Sequence, residues 1–259
     1  MGLKFTILGC ANSYGVPYAG NDWGDCDPNE VRNRRTRCSL LVQSENTSIV
    51  IDTGADFREQ MNIHKVKTLD AVLYTHKHSD HTAGIDDLRI YAIRNKAPLC
   101  AYLDSDTLDY IRTSRDYILE TKVKEYPAML TTHTVEPYGH FTINNDLKVQ
   151  THSLNHGSII SMGYRFGDVA YSLDMKDITD NRSFDALYGI KTWIVDAGAY
   201  KSEHNPVHAT FDRIIELNQK VKASRVILTS LSNRIDYKQA SSELPDGYEI
   251  AYDGMTIKS

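Results

Sequence analysis

Residues 74–89 read YTHKHSDHTAGIDDLR, placing His76, His78, Asp80 and His81 within six positions directly after the apolar run LDAVLY (69–74). Four ionisable side chains at the mouth of a buried strand are costly unless something pairs them. His76 and His78 stand two residues apart, so an extended backbone aims both rings to one side. Asp80 and His81 fall where the next helix begins and the chain bends back toward the same point. Imidazole nitrogens and carboxylate oxygens grouped in this way suit zinc, iron or manganese.

The flanks of this segment mix strands with helices. KFTIL (4–8), CSLLVQ (38–43), SIVID (48–52), DAVLYT (70–75) and LCAYL (99–103) read as strands, and ADFREQMNI (55–63) and AGIDDLRIYAIR (83–94) as helices. SDTLDYIRTSRDY (105–117) reads as a helix with Ser105 as its N-cap. The second half repeats this grammar, with strands at 147–154, 161–166, 169–173, 192–197 and 225–230 and helices at 209–221 and 237–244. Its ending suggests a closing hairpin turned by Asp253-Gly254. Strand runs interrupted by helices point to two sheets with helices outside. No linker or internal repeat divides residues 1–259, so a single domain is expected. Asp52, His76, His156, Asp174 and Asp196 each end or follow a strand, which gathers the polar residues in strand-end loops.

Composition narrows the function classes. With 41% hydrophobic and 24% charged residues over 259 positions, the chain is an ordinary globular protein. A net charge of −5 and no long basic block make nucleic acid an unfavoured partner. The exception is RNRRTR (32–37), where Arg35 or Arg37 is placed to contact a substrate phosphate bidentately. Cys10, Cys26, Cys38 and Cys100 show no CxxC spacing and read as reduced thiols. No apolar segment is long enough for a signal core or a membrane span, so the cytoplasm is the expected location and no membrane partner is expected. A homodimer is left open.

THKHSDH (75–81), together with Asp52 in IDTG (51–54), His156 in LNHG (154–157) and Asp174 in SLD (172–174), resembles the metallo-β-lactamase superfamily of hydrolases. GVPYAG (15–20), the arginine-rich run into CSLLV, VILT (226–229) and YDGM (252–255) are similar to the branch containing the phosphoribosyl cyclic phosphate phosphodiesterases. The resemblance implies an αββα sandwich, two mixed β-sheets with helices on the outer faces. It also implies one or two divalent ions, zinc or manganese. His76, His78 and His156 would hold the first, with Asp174 bridging; Asp80, His81 and Asp174 would hold the second. The branch has a further histidine after VILT where this chain has Ser230, so the second site lacks one nitrogen ligand. It also carries a structural zinc on clustered cysteines and a later histidine. Only Cys26 and Asn233 stand at those places here, and no structural zinc is expected.

The expected reaction is hydrolysis of a small cyclic or nucleotide-like phosphate diester by metal-activated water. No GxSxG elbow or P-loop offers another route. His208, in HNPVHATFD (204–212), matches a histidine the superfamily uses beside the metals and takes the general-acid role, with His204 as its nearby rival. Asp80 joins it as a catalytic group as well as a ligand. Asp52 is read as a carboxylate orienting a ligand, and Ser230 as a neighbour of the second ion. Two other functions compete. A tRNA 3′-processing endonuclease shares HxHxDH but brings a long flexible arm, and this chain has no Gly/Pro/Lys-rich excursion of that kind. A non-enzymatic binding protein with a degraded second metal site would follow from Ser230. Thiolesterase or lactonase chemistry stays open on the same scaffold.

Overall fold

The computed structural model describes residues 2–200 and 205–259, in which two seven-stranded sheets form. Sheet 1 holds β1 (Lys4–Gly9), β2 (Ser39–Gln43), β3 (Ser48–Ile51), β4 (Ala71–Leu73), β5 (Leu99–Leu103) and β6 (Leu130–Thr134). Sheet 2 holds β7 (His140–Ile143), β8 (Leu147–His156), β9 (Ile159–Phe166), β10 (Val169–Ser172), β11 (Thr192–Asp196), β12 (Arg225–Thr229) and β13 (Tyr248–Ile250). A last strand, β14 (Thr256–Lys258), returns to sheet 1 beside β1. Each sheet is half antiparallel and half parallel: β3 to β6 and β10 to β13 run parallel, the remaining pairs antiparallel. Helices α1 (Phe57–Ile63), α2 (Ser79–Thr82), α3 (Arg89–Asn95), α4 (Ser105–Ser114) and α5 (Asp116–Leu119) interleave with sheet 1. α6 (Asn181–Leu187), α7 (Phe211–Val221) and α8 (Tyr237–Glu243) do so with sheet 2. The result is an αββα sandwich of two mixed sheets. Among the described residues, no helix is long and apolar enough to cross a membrane.

The two-residue period of the strands sorts their side chains. Leu40 and Val42 of β2, Ile49 and Ile51 of β3, and Ala71 and Leu73 of β4 enter the core between the sheets. Leu41, Val50 and Val72 enter a second core with Phe57, Met61, Tyr91 and Ile111 of the helices. Both faces are covered, which is why these strands read as unbroken apolar runs.

Three local expectations are corrected. The helix expected over 83–94 begins as a 3₁₀ turn, Ile85–Leu88, before α3. The N-cap of α4 is Asp104 rather than Ser105, since its carboxylate accepts from Thr107 N at 3.0 Å and from Thr107 Oγ1 at 2.7 Å. The Asp253-Gly254 turn does not close a hairpin. The Asp253 carboxylate accepts from Cys10 N at 3.1 Å and from Thr36 N at 2.7 Å, and Gly254, at φ +90°, donates to Ile7 O. Those bonds draw the turn under sheet 1, so β13 stays on β12 while β14 crosses to β1.

His152 of β8 lies opposite Gly163 of β9, and its ring fills the space above that glycine, where a Cβ would come within 2.0 Å of Nε2. Nε2 pairs with Ser172 Oγ at 2.9 Å, and Ser172 Oγ accepts from Trp193 Nε1. It is a core histidine. Burial, helped by the Arg165 cation, pulls its pKa down to about 3. The unfolded imidazole titrates near ~6.5, so the unfolded chain binds this proton first as pH falls. The contribution is therefore complete above that value and is lost between it and about 3. His152→Gln should flatten the fall of stability between pH 6.5 and 4, measured by urea unfolding. An unchanged slope would clear His152 of any part in acid sensitivity.

Candidate metal centre

Asp52 follows β3, Asp174 follows β10 and Ser230 follows β12, and all three adopt left-handed backbone, with φ of +62°, +50° and +63°. That conformation costs a non-glycine residue about 1 kcal/mol, and such strain gathers at functional sites. These sharp exits fold the strand-end loops over one edge of the sandwich.

The structure brings together all six residues assigned to metal. Asp174 Oδ2 lies 3.6 Å from His76 Nε2, 3.2 Å from His81 Nε2 and 3.6 Å from His156 Nε2. His76, His78, His156 and Asp174 present donor atoms within 4.8 Å of one another, as do Asp80, His81 and Asp174. The two groups share Asp174. His156 Nδ1 donates to Val207 O at 2.9 Å, which leaves Nε2 facing the cluster. Thr75, on the exit of β4, pairs its Oγ1 with His76 Nδ1 at 3.0 Å.

Asp52 is fully buried and accepts from Thr75 N, Thr75 Oγ1 and His81 Nδ1, the last at 2.9 Å. It therefore fixes the ring of His81. Burial works against charging His81, yet the Asp174 and Asp52 carboxylates hold its pKa well above the ordinary imidazole range. The cluster demands a positive charge there. Nε2 of His81 is buried 3.1 Å from Asp80 Oδ2 and 3.2 Å from Asp174 Oδ2, but is aligned for a hydrogen bond with neither. A divalent cation among these atoms would satisfy nitrogen and oxygens together, so the residues fit a metal.

His208 stands beside this cluster, its ring 5.4 Å from that of His156. Nδ1 pairs with Asp196 Oδ2 at 2.7 Å, and Asp196 also accepts from Met175 N and Gly198 N. A side chain on Gly198 would meet the His208 ring at 3.0 Å, so the bare backbone there lets the ring settle. Burial lowers the pKa of His208, but Asp196, Asp174 and Asp80 more than offset it and carry it to about 9. Asp196 ends a fully buried run, TWIVD; that lone charge was its only sequence signal, and its pairing with His208 was not expected. Ser230 is buried at the end of β12. His204 lies outside the described residues.

A largely buried cluster of histidines and carboxylates at the strand ends of an αββα sandwich defines a metal-binding hydrolase scaffold. The family profile of the beta-lactamase superfamily domain matches residues 47–229, well over half of the chain, and the chain belongs to that superfamily. It is 31% identical over 255 residues to an octanoyltransferase of Porphyromonas gingivalis, covering 98% of this chain and 51% of the relative. It is 26% identical over 173 residues to ribonuclease Z of Clostridioides difficile, covering 63% and 49%. The chain thus spans about half the length of the curated relatives it matches. Among solved structures it is similar to a diphosphatase from the PhnP family, with a TM-score of 0.90, 29% identity, and 100% and 98% of the two chains covered. The short form of human tRNase Z shares the fold, at a TM-score of 0.71 and 16% identity over 98% of each chain.

Of the two arginines assigned to substrate, one is turned away from any ligand. Arg35 is corrected outright: it is only 2% exposed, and its guanidinium donates to Ile235 O at 2.8 Å, Asn33 Oδ1 at 3.1 Å and Arg32 O at 3.2 Å. It staples the first long loop to the segment before α8 and has no face left for a ligand. Arg37 is half-buried, held by Asp56 at 2.9 Å and Ser13 O at 2.8 Å. Neither lines the cavity that opens beside His76. A lysine carries one point donor group and cannot span Arg35's acceptors. Arg35→Lys should therefore cost about 2–3 kcal/mol of stability, read by urea unfolding. A variant as stable as the wild type would show that the staple is dispensable.

Proposed function

We propose that this chain is a metal-dependent phosphodiesterase acting on a small phosphate ester. The observation that carries the reading is the convergence on Asp174 Oδ2 of His76, His81 and His156, with the buried His81 Nε2 set between the carboxylates of Asp174 and Asp80. Relatives named diphosphatase and ribonuclease Z support phosphorus as the reacting centre. The name octanoyltransferase belongs to a protein of which this chain matches half, and it is not carried over.

His76, His78, His156 and Asp174 would hold one divalent ion, and Asp80, His81 and Asp174 a second. Ions bound there would polarise a phosphoryl oxygen and lower the pKa of water. The chain's own part is to orient and to move a proton. Asp52 keeps His81 turned into the cluster, and Val207 O does the same for His156. Asp196 accepts a hydrogen bond from Nδ1 of His208, which leaves Nε2 to serve as the proton donor for the leaving oxygen. With its pKa raised to about 9 by Asp196, Asp174 and Asp80 against burial, His208 carries that proton at neutral pH.

Metal content and bis(p-nitrophenyl) phosphate turnover, measured on the same preparation, separate the roles. His76→Ala with His78→Ala should strip metal and activity together. His208→Ala should keep its metal and lose about 10²–10⁴ in kcat. Full metal retention in the first variant, or metal loss in the second, would overturn the assignment.

The second donor set is the poorer one: one imidazole and two carboxylates, one of them shared. Such oxygen-rich shells favour manganese or magnesium over zinc. Ser230→His should add a nitrogen at that corner and tighten the second of two zinc-binding steps in a calorimetric titration of chelator-treated protein. Two equally tight steps in the wild type would show that another group already completes the shell.

A further inference from the structure

A cavity of about 580 Å³ opens directly beside His76, between the first turn of α4, residues 135–137 and the tip of the β8–β9 hairpin. That is within the size range of small-molecule sites. Nothing assigned so far uses it. We propose, resting on the phosphodiesterase reading, that this cavity takes an uncharged, hydroxyl-bearing arm of the diester and turns away any arm that carries a second phosphate.

Its ionisable lining argues the point. Besides His76 it presents Asp104, Asp106, Glu136 and Lys77, three carboxylates against one ammonium. Lys77 Nζ, the only cationic head in the lining among the described residues, lies 3.8 Å from Asp106 Oδ2. Asp104 spends its oxygens on Thr107. Glu136 is exposed, and among the described residues its side chain pairs with no cation. No arginine lines the space, although planar guanidinium forks are the usual grip for phosphate. Apart from an ion held through His76, the described lining would therefore present a second phosphate with net negative charge.

The remaining lining suits a neutral ring. Ile159, Ile160 and Met162 offer an apolar wall, and Ser105 and Ser158 offer hydroxyls. Ile160 stands exposed at the rim, where an apolar arm would cover it. Carboxylates such as Glu136 are acceptors for sugar hydroxyls. The single negative charge of a diester stays at the metal cluster, and its arm extends along the wall.

The test uses metal-reconstituted full-length protein and two substrates differing by one group: thymidine 5′-(p-nitrophenyl phosphate) and the same compound phosphorylated on its 3′-oxygen. The wild type should favour the first in kcat/KM. Glu136→Lys should narrow that preference about three- to tenfold, the range for one uncompensated charge at the rim, chiefly through KM of the phosphorylated compound. Added salt should narrow it in the wild type. A wild type preferring the phosphorylated compound, or a ratio unmoved by Glu136→Lys, would overturn the proposal. If neither compound is turned over, the phosphodiesterase reading fails on its own. The charge rule is then read by calorimetric binding of thymidine 5′-monophosphate against thymidine 3′,5′-bisphosphate. Weaker binding of the bisphosphate upholds the rule, and equal or tighter binding ends it.

Discussion

Asp174 Oδ2 lies within 3.6 Å of three imidazole nitrogens, and Asp174, His76, His81 and His156 are all buried. Ionisable groups at such distances neutralise or repel one another unless a cation joins them. The exit of β4 and α2 contribute His76, His78, Asp80 and His81 from sheet 1; β8 and the exit of β10 contribute His156 and Asp174 from sheet 2. Neither sheet owns a complete donor set. The ion's place exists only once the sheets have packed, so metal affinity and the stability of the sandwich are coupled.

The same accounting explains why Asp196 serves geometry. Asp174, Asp196 and His208 also lie within 4.8 Å of one another, which on distance alone suggests a further ion. Asp196, however, already accepts from Met175 N and Gly198 N as well as from His208 Nδ1. With those donors on its oxygens it has little to offer a cation and much to offer an imidazole that must be held at one angle. The neighbouring strands β10 and β11 run parallel, and this brings their carboxyl-end residues to the same level.

What the sequence showed and what it hid follow a physical divide. His76, His78, Asp80 and His81 were legible because strand, loop and helix follow one another within a few residues, and local geometry alone converges them. His156 and Asp174 sit far away in sequence and came from resemblance, since no periodicity foretells which strands become neighbours. Arg35 was misread because a basic run gives no sign whether it faces water or the carbonyls of Ser232 and Ile235 some two hundred positions later. Asp253-Gly254 has the composition of a hairpin turn, yet bonds to Cys10 and Thr36 decide its path. The cavity beside His76 is assembled from five separate segments, and Lys77 gives no hint of it.

The return of β14 to the edge of β1 has a consequence for synthesis on the ribosome. β1 emerges well before β14, and one side of it stays unpaired until residues 256–258 arrive with their register to Lys4, Phe5 and Thr6. During that interval a nascent chain exposes an open strand edge, the kind of template that invites wrong pairing. Closing it links residues separated by nearly the whole chain, a slow class of contact. Asp253 makes the same late step anchor Cys10 and Thr36, so the first long loop is translated early and fastened last.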